Sequence, residues 1–396
     1  MECLQEIVVK EGLLTVLSLV FIIPFFWLAL PQEQQITGLF YYGIIFFSVL
    51  LAAFAQPSFG DDIKNIPLCF SFFIIYFVLG FRDVSGVDDP TYQKIFEQVN
   101  TYGVKVTFLF TFMEPGYLCL CALVGLFTDN YYIFQALASF IPLFFIYKGF
   151  VKYHRLIYMP FAILLLCSSL YFQMLSISLV RIFIAISIVF CYSLDALFTS
   201  KPKKYVVTII LSASIHYSAL IMLLFTPLCF SRQYLVESWK KYSLFLIVIS
   251  PIVFFIVFQL AGIVGGRYSI YAEQQGNGTL SLATLDSLPF LFFALCFKHI
   301  IPKKELNIYS GALVLLLFSV VSSVLTSFFS FGRVVFYMNL SLWFLLPSIF
   351  CFSKKNKIVI AEIVIVYSLL YLDVTQFSQA QNVEHLFPYK NIFFTL

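Results

Sequence analysis

Of 396 residues, 61% are hydrophobic and only 11% charged, against about 25% charged in ordinary soluble domains, which excludes a water-soluble globule. Roughly 240 apolar residues at about 20 per crossing allow about a dozen helical spans, and apolar runs that last whole helical lengths without alternating exclude a membrane β-barrel. The 24 Lys plus Arg against 20 Asp plus Glu leave a net charge of +4, too little to point to a nucleic-acid partner.

In chain order, apolar runs between charged punctuation predict spans near residues 13–30, 36–55, 66–81, 115–127, 131–147, 157–172 and 179–198. Further spans follow at 205–230, 243–263, 283–297, 308–325, 334–350 and 358–372. The first run is too long for a signal-peptide core and lacks a small-residue cleavage site before Pro31, so it predicts a retained span. The expected fold is all-α: one transmembrane domain over residues 1–396, a polytopic helical bundle with about 12 spans, and larger external loops near 82–105 and 264–282. The nine cysteines lie mostly inside apolar runs and have no ligand spacing, so neither a disulfide framework nor a metal site is indicated, and no cofactor is.

Lysine clusters orient the bundle. Lys148 with Lys152 and Arg155, Lys201 with Lys203 and Lys204, Lys240 with Lys241, Lys298 with Lys303 and Lys304, and Lys354 with Lys355 and Lys357 all read as cytoplasmic. Strict alternation of spans then fails over 114–147 and 205–230, and one half-span in each would repair it. Such broken or re-entrant helices are stable only where they are buried in protein or line a wet cavity.

Four arginines lack lysine company and fall near the opposite, external ends of their segments: Arg82, Arg181, Arg267 and Arg333. An intramembrane arginine either snorkels to the interface or faces a cavity or partner, and its fork suits phosphate or carboxylate. Residues 80–96, GFRDVSGVDDPTYQKIF, combine Arg82 with Asp83, Asp88, Asp89 and Tyr92. They read as a loop over an external cavity with Asp88 available as a base, or as a solvated loop whose Asp88 or Asp89 caps a helix starting near Thr91. His216, alone in an apolar stretch, is read either as a base at a cavity mouth or as an interhelical hydrogen-bond donor to Ser212, Ser214 or Tyr217. Glu114 either caps a helix or pairs with an arginine. Tyr268 and Tyr271 on a glycine-rich loop, and Tyr337, offer flat faces for sugars, or are interfacial tyrosines.

Gly80, Arg82, Gly86, Asp88 and Tyr92, followed by EPGY from Glu114, Arg181 opening a span, SASIHYSALIML with His216 and Ser218, GGRYSIY with Arg267, and FGRVVFYM with Arg333 and Tyr337, form a pattern. It resembles the EpsG-like branch of polysaccharide repeat-unit polymerases, relatives of the O-antigen polymerases called Wzy. The chain departs from the family pattern at Ile182, where members often carry a polar residue. The resemblance implies a membrane glycosyltransferase that polymerises polyprenyl-pyrophosphate-linked repeat units of O-antigen, capsule or exopolysaccharide on the external face of a bacterium's cytoplasmic (inner) membrane. Undecaprenyl pyrophosphate is the implied carrier, and lipopolysaccharide one implied product. Donor and acceptor glycans on this carrier are the implied partners, with membrane lipid and a chain-length regulator, and no metal is required.

On this reading Arg181, Arg267 and Arg333 form a pyrophosphate clamp supported by Arg82, while His216 and Asp88 compete for the role of base. Tyr92, Glu114, Tyr268, Tyr271 and Tyr337 complete the substrate-binding set. Two other classes stay open on the residues alone. A transporter or flippase for an anionic lipid-linked substrate would place ionisable groups along the whole crossing. A membrane O-acyltransferase would use an intramembrane histidine with further motifs that do not accompany His216.

Overall fold

A computed structural model describes residues 2–55, 65–83, 88–154, 156–168, 179–194, 197, 200–230, 234–264, 288–303, 305–326, 335–353, 357–372 and 389–393, and the fold is that of these residues. They form helices throughout, with one isolated antiparallel bridge between Arg82 and Asn391. The first seven helices are α1 (Glu2–Ala29), α2 (Gln35–Phe54), α3 (Asn65–Gly80), α4 (Asp89–Thr111), α5 (Pro115–Gly125), α6 (Tyr131–Tyr153) and α7 (Met159–Ser168). Next come α8 (Val180–Ile188), which runs on through a π turn at Val189–Ser193, then α9 (Pro202–Ile215) and a 3₁₀ segment (Tyr217–Phe230). The chain continues with α10 (Tyr234–Val264), α11 (Leu288–Phe297), α12 (Leu306–Thr326), α13 (Val335–Asn339), α14 (Leu342–Phe352) and α15 (Lys357–Tyr371).

By length and composition five stretches can cross a bilayer: Glu11–Ala29, Gln32–Phe54, Tyr131–Tyr153, Leu306–Leu325 and Val335–Phe352. Several other apolar helices, among them α5, α7 and α11, are shorter. The 11 residues of α5 extend about 16 Å, well short of a hydrocarbon core of about 30 Å. At the centre lies α7, packed by α2, α14 and α15, with every residue from Met159 to Ser168 buried. A helix that is apolar all round belongs in such a core. The outer helices turn large apolar side chains outward instead, among them Phe21, Phe25 and Leu28 of α1.

The structure departs from the sequence expectation in three places. The segment 82–105, expected as a polar external loop, is helical from Asp89 onward. Tyr92, Ile95, Phe96 and Val99 form its buried face, an i, i+3, i+4, i+7 stripe whose mean polarity hid a half-buried helix. A kink at Gly103 (φ +79°, ψ 167°) uses a backbone conformation that only glycine adopts without cost. The first helix begins at Glu2, earlier than expected, and on it Glu11 pairs with Lys357 of α15 while its carbonyl accepts from the Tyr158 hydroxyl at 3.0 Å. The run at 334–350 is divided into α13 and α14 at Leu340 and Ser341. The run at 205–230 breaks at His216, as the parity of the spans required. The expected loop at 264–282 lies, except for Val264, outside the described residues.

Candidate active site

Two chain breaks carry the polar centre. At the first, Glu114 precedes Pro115, which starts α5 at a position where a missing N–H costs nothing. Gly116 lets α5 touch the end of α9: a Cβ there would stand 2.7 Å from the Ser214 carbonyl oxygen. At the second, α9 stops at Ile215, His216 is extended (φ −153°, ψ 117°), and the chain turns back along α9 as the 3₁₀ segment. The Tyr205 hydroxyl donates to the Met222 carbonyl at 2.6 Å and ties the two limbs together. His216 is thus the apex of a hairpin, and Gly116 brings Glu114 to it.

Arg181, the second residue of α8, meets the same point and pairs with Glu114. Both are buried. The guanidinium also lies 5.5 Å from the Tyr92 ring centre and 5.7 Å from that of Tyr117, within the range of cation–π attraction. The second carboxylate oxygen of Glu114 faces the other way, 4.0 Å from His216 Nε2 and 3.5 Å from the Tyr217 N–H, from which it accepts. On the opposite edge of the imidazole, Nδ1 stands 2.6 Å from Ser218 Oγ and accepts from the Ser218 N–H at 3.3 Å. The Ser218 and Tyr337 hydroxyls are 3.3 Å apart. A cation, a carboxylate, an imidazole and two hydroxyls are therefore linked in one line, buried except at the half-buried Ser218, an arrangement that can hold an anion at one end and move a proton at the other.

A second ion pair stands beside this line. Arg82 Nη2 binds Asp89 at 2.9 Å with both side chains buried, and Arg82 Nη1 donates to the Leu79 carbonyl at 2.6 Å and to Ser139 Oγ at 3.4 Å. Gln135 of α6 donates to the Arg82 carbonyl at 2.7 Å. The C-terminal residues clamp the same backbone: Asp83 N–H donates to the Lys390 carbonyl and Ile392 N–H to the Phe81 carbonyl, each at 2.9 Å. Tyr389 stacks on Phe40 at 4.9 Å and donates to the Val78 carbonyl at 2.9 Å. Burial raises the pKa of its hydroxyl, which keeps it a donor. Asp89 and Tyr92 are three residues apart on α4, so that helix spans both ion pairs.

The structure thus brings Tyr92, Glu114, Arg181, His216 and Tyr337 together and places Arg82 in the adjoining pair. Asp88 is half-buried at the N-cap of α4, makes no side-chain cap bond and does not join the line. Asp89 is the aspartate that meets an arginine, and Glu114 pairs with an arginine without a side-chain cap bond. Arg267, Tyr268, Tyr271 and Arg333 lie outside the described residues. Tyr117 closes the EPGY motif but was not among the expected site residues, and Asp88 was ranked ahead of Asp89, since helical phase admits both and only the helix start, with Asp88 as N-cap and Asp89 as first residue, separates them. Among the described residues no three His, Cys, Asp or Glu side chains gather at metal-binding geometry.

Lysines occupy the far end. Lys152 Nζ donates to the Cys191 carbonyl at 3.5 Å, and Lys204 lies 5.9 Å from the Tyr192 ring centre, both at the C-terminal end of the helix that Arg181 opens. Arginine pairs and lysines therefore sit at opposite ends of α8, with the lysines where the helix dipole favours cations. Among protein families, residues 65–391 match the EpsG family. No curated protein and no solved structure matches the chain.

Proposed function

Because the chain belongs to the EpsG family, we propose that this multi-pass membrane protein is a glycosyltransferase that polymerises polyprenyl-pyrophosphate-linked oligosaccharide repeat units, of the O-antigen, capsule or exopolysaccharide kind, on the external face of a bacterial inner membrane. One observation carries the reading: Glu114, Arg181, His216 and Tyr337, from four separate stretches of sequence, converge in a single buried line. An acceptor hydroxyl attacks the anomeric carbon of the donor sugar, and the bond to the lipid pyrophosphate breaks. Negative charge develops on the leaving phosphate, where preorganised guanidinium groups lower the barrier. Arg181 is the pre-oriented member of this clamp, and Arg267 and Arg333 are its proposed partners. Arg82 supports the clamp through α4, which Asp89 and Tyr92 join to the centre.

His216 takes the base's role in preference to Asp88, since its ring nitrogens face Glu114 and Ser218 within the line, which Asp88 does not join. A diphosphate leaving group balanced by arginines asks for no metal. Tyr268 and Tyr271 are proposed to contact sugars, and a chain-length regulator is the proposed protein partner.

Replacing Arg181, Arg267 and Arg333 singly by Ala or Lys in a polymerase-deleted host tests the reading. Each Ala variant should lower polymerisation by about 10²-fold, the usual cost of losing one preorganised donor, leaving glycans of a single repeat. Lys, a point charge without a fork, should restore little of it. Full-length polymer at normal membrane levels from every variant would overturn the clamp. A flippase, by contrast, would lose even the single capped repeat.

A further inference from the structure

We propose that Ser218 is a catalytic hydroxyl through which His216 receives the acceptor's proton, an inference that rests on the glycosyl transfer proposed above. The Ser218 N–H lies 3.3 Å from Nδ1 and can only donate, so the neutral imidazole carries its own proton on Nε2, the nitrogen that faces Glu114 at 4.0 Å. The basic lone pair is then on Nδ1, and the group in front of it, at 2.6 Å, is Ser218 Oγ.

Access points the same way. His216, Glu114 and Tyr337 are buried, whereas Ser218 is only half-buried. A sugar hydroxyl approaching this edge of the imidazole meets Ser218 before it meets the ring. In the resting centre the Ser218 hydroxyl donates to Tyr337 Oη at 3.3 Å, and turning about Cβ–Oγ aims the same proton at Nδ1; Tyr337, which holds that rotor, acts as a positioning residue. So does Glu114, which touches no substrate atom in this scheme and acts through the imidazole. Among the described residues, the charged and titratable side chains around the relay include Glu114, Arg181, Tyr92, Tyr117, Tyr217 and Tyr337.

The step balances without any further reagent. The acceptor oxygen gives its proton to Ser218 Oγ while the serine's own proton passes to His216 Nδ1. That acceptor oxygen forms the new bond to the anomeric carbon, and the electron pair of the broken carbon–oxygen bond leaves with the lipid pyrophosphate. The resulting imidazolium faces the Glu114 carboxylate and later loses its proton to water.

The experiment uses purified full-length protein and the repeat-unit lipid extracted from a host that lacks the polymerase. Ser218→Ala should lower turnover by about 10²-fold, the range of a lost proton-transfer group, with the KM for the lipid nearly unchanged. Ser218→Thr, which keeps the hydroxyl, should recover most of the rate. Adding Ser218→Ala to His216→Ala should cost nothing more, because the two act as one unit. The solvent isotope effect should show two protons in flight in the native protein and one in Ser218→Ala. Native turnover in Ser218→Ala beside a slowed His216→Ala would overturn the relay and leave the base standing, as would equal slowing by Ser218→Ala in both backgrounds. Native turnover in His216→Ala would overturn the base and the relay together.

Discussion

Glu114 shows how one side chain is committed by its surroundings. A carboxylate ahead of a proline-started helix usually caps that helix or drifts to an interface. Here it is turned into the protein because Arg181 and His216 both stand within its reach. Removing one partner of a buried pair strands the other, at about 3–5 kcal/mol, whereas replacing both by apolar residues is often neutral. Glu114→Ala should accordingly lower the thermal unfolding temperature in detergent, and Glu114→Leu combined with Arg181→Met should recover it without recovering polymerisation. A single variant as stable as the native protein would mean that the pair is not desolvated. Arg181, Glu114, His216 and Tyr337 were legible because a polar group inside an apolar run stands out at once. Which of two adjacent aspartates meets an arginine was not, because both are in phase with the apolar stripe and the difference lies in the residue at which the helix begins.

Among the elements, the half-length ones make the site. The shortness of α5, the glycine contact with Ser214, and the reversal at His216 let Glu114 and His216 meet at the same depth. Span parity had marked both regions as irregular, since lysines cannot be satisfied by two extra full crossings. The C-terminal strap, by contrast, left no trace in the sequence. Residues 389–393 have no periodicity, and their partners, Val78, Phe81 and Asp83, lie some three hundred positions away. Backbone pairing over such a separation depends on the assembled fold and not on local pattern.

The strap's contribution can be read by proteolysis. Ending the chain after residue 388 removes the bonds that hold the backbone on both sides of Arg82, whose side chain is 1% exposed. Tryptic cleavage of the Arg82–Asp83 bond in detergent should then become much faster, since cutting requires local opening. An unchanged cleavage rate would show that Asp89, Ser139 and Gln135 suffice to hold Arg82.

For the whole molecule, composition alone dictated a helical membrane bundle, and the described residues form one. Its buried middle is apolar all round, its outer helices turn aromatic and aliphatic side chains outward, and along α8 arginine and lysines take opposite ends. The number of crossings was less legible, because hydropathy counts apolar length whereas α5, α7 and the hairpin at His216 use short apolar pieces, of which α7 is wholly buried. The account's central claim is that the buried line from Arg181 to Tyr337 joins sugars at the expense of a lipid diphosphate. The most direct test supplies purified protein with the extracted repeat-unit lipid, with and without chelator, and follows glycan length together with released polyprenyl pyrophosphate. The account predicts polymer with one diphosphate released per unit added, unaffected by chelator and abolished by His216→Ala. Activity that needs a divalent metal would contradict its metal-free chemistry. Absence of polymer from the native protein, or polymer undiminished in His216→Ala, would contradict the claim itself.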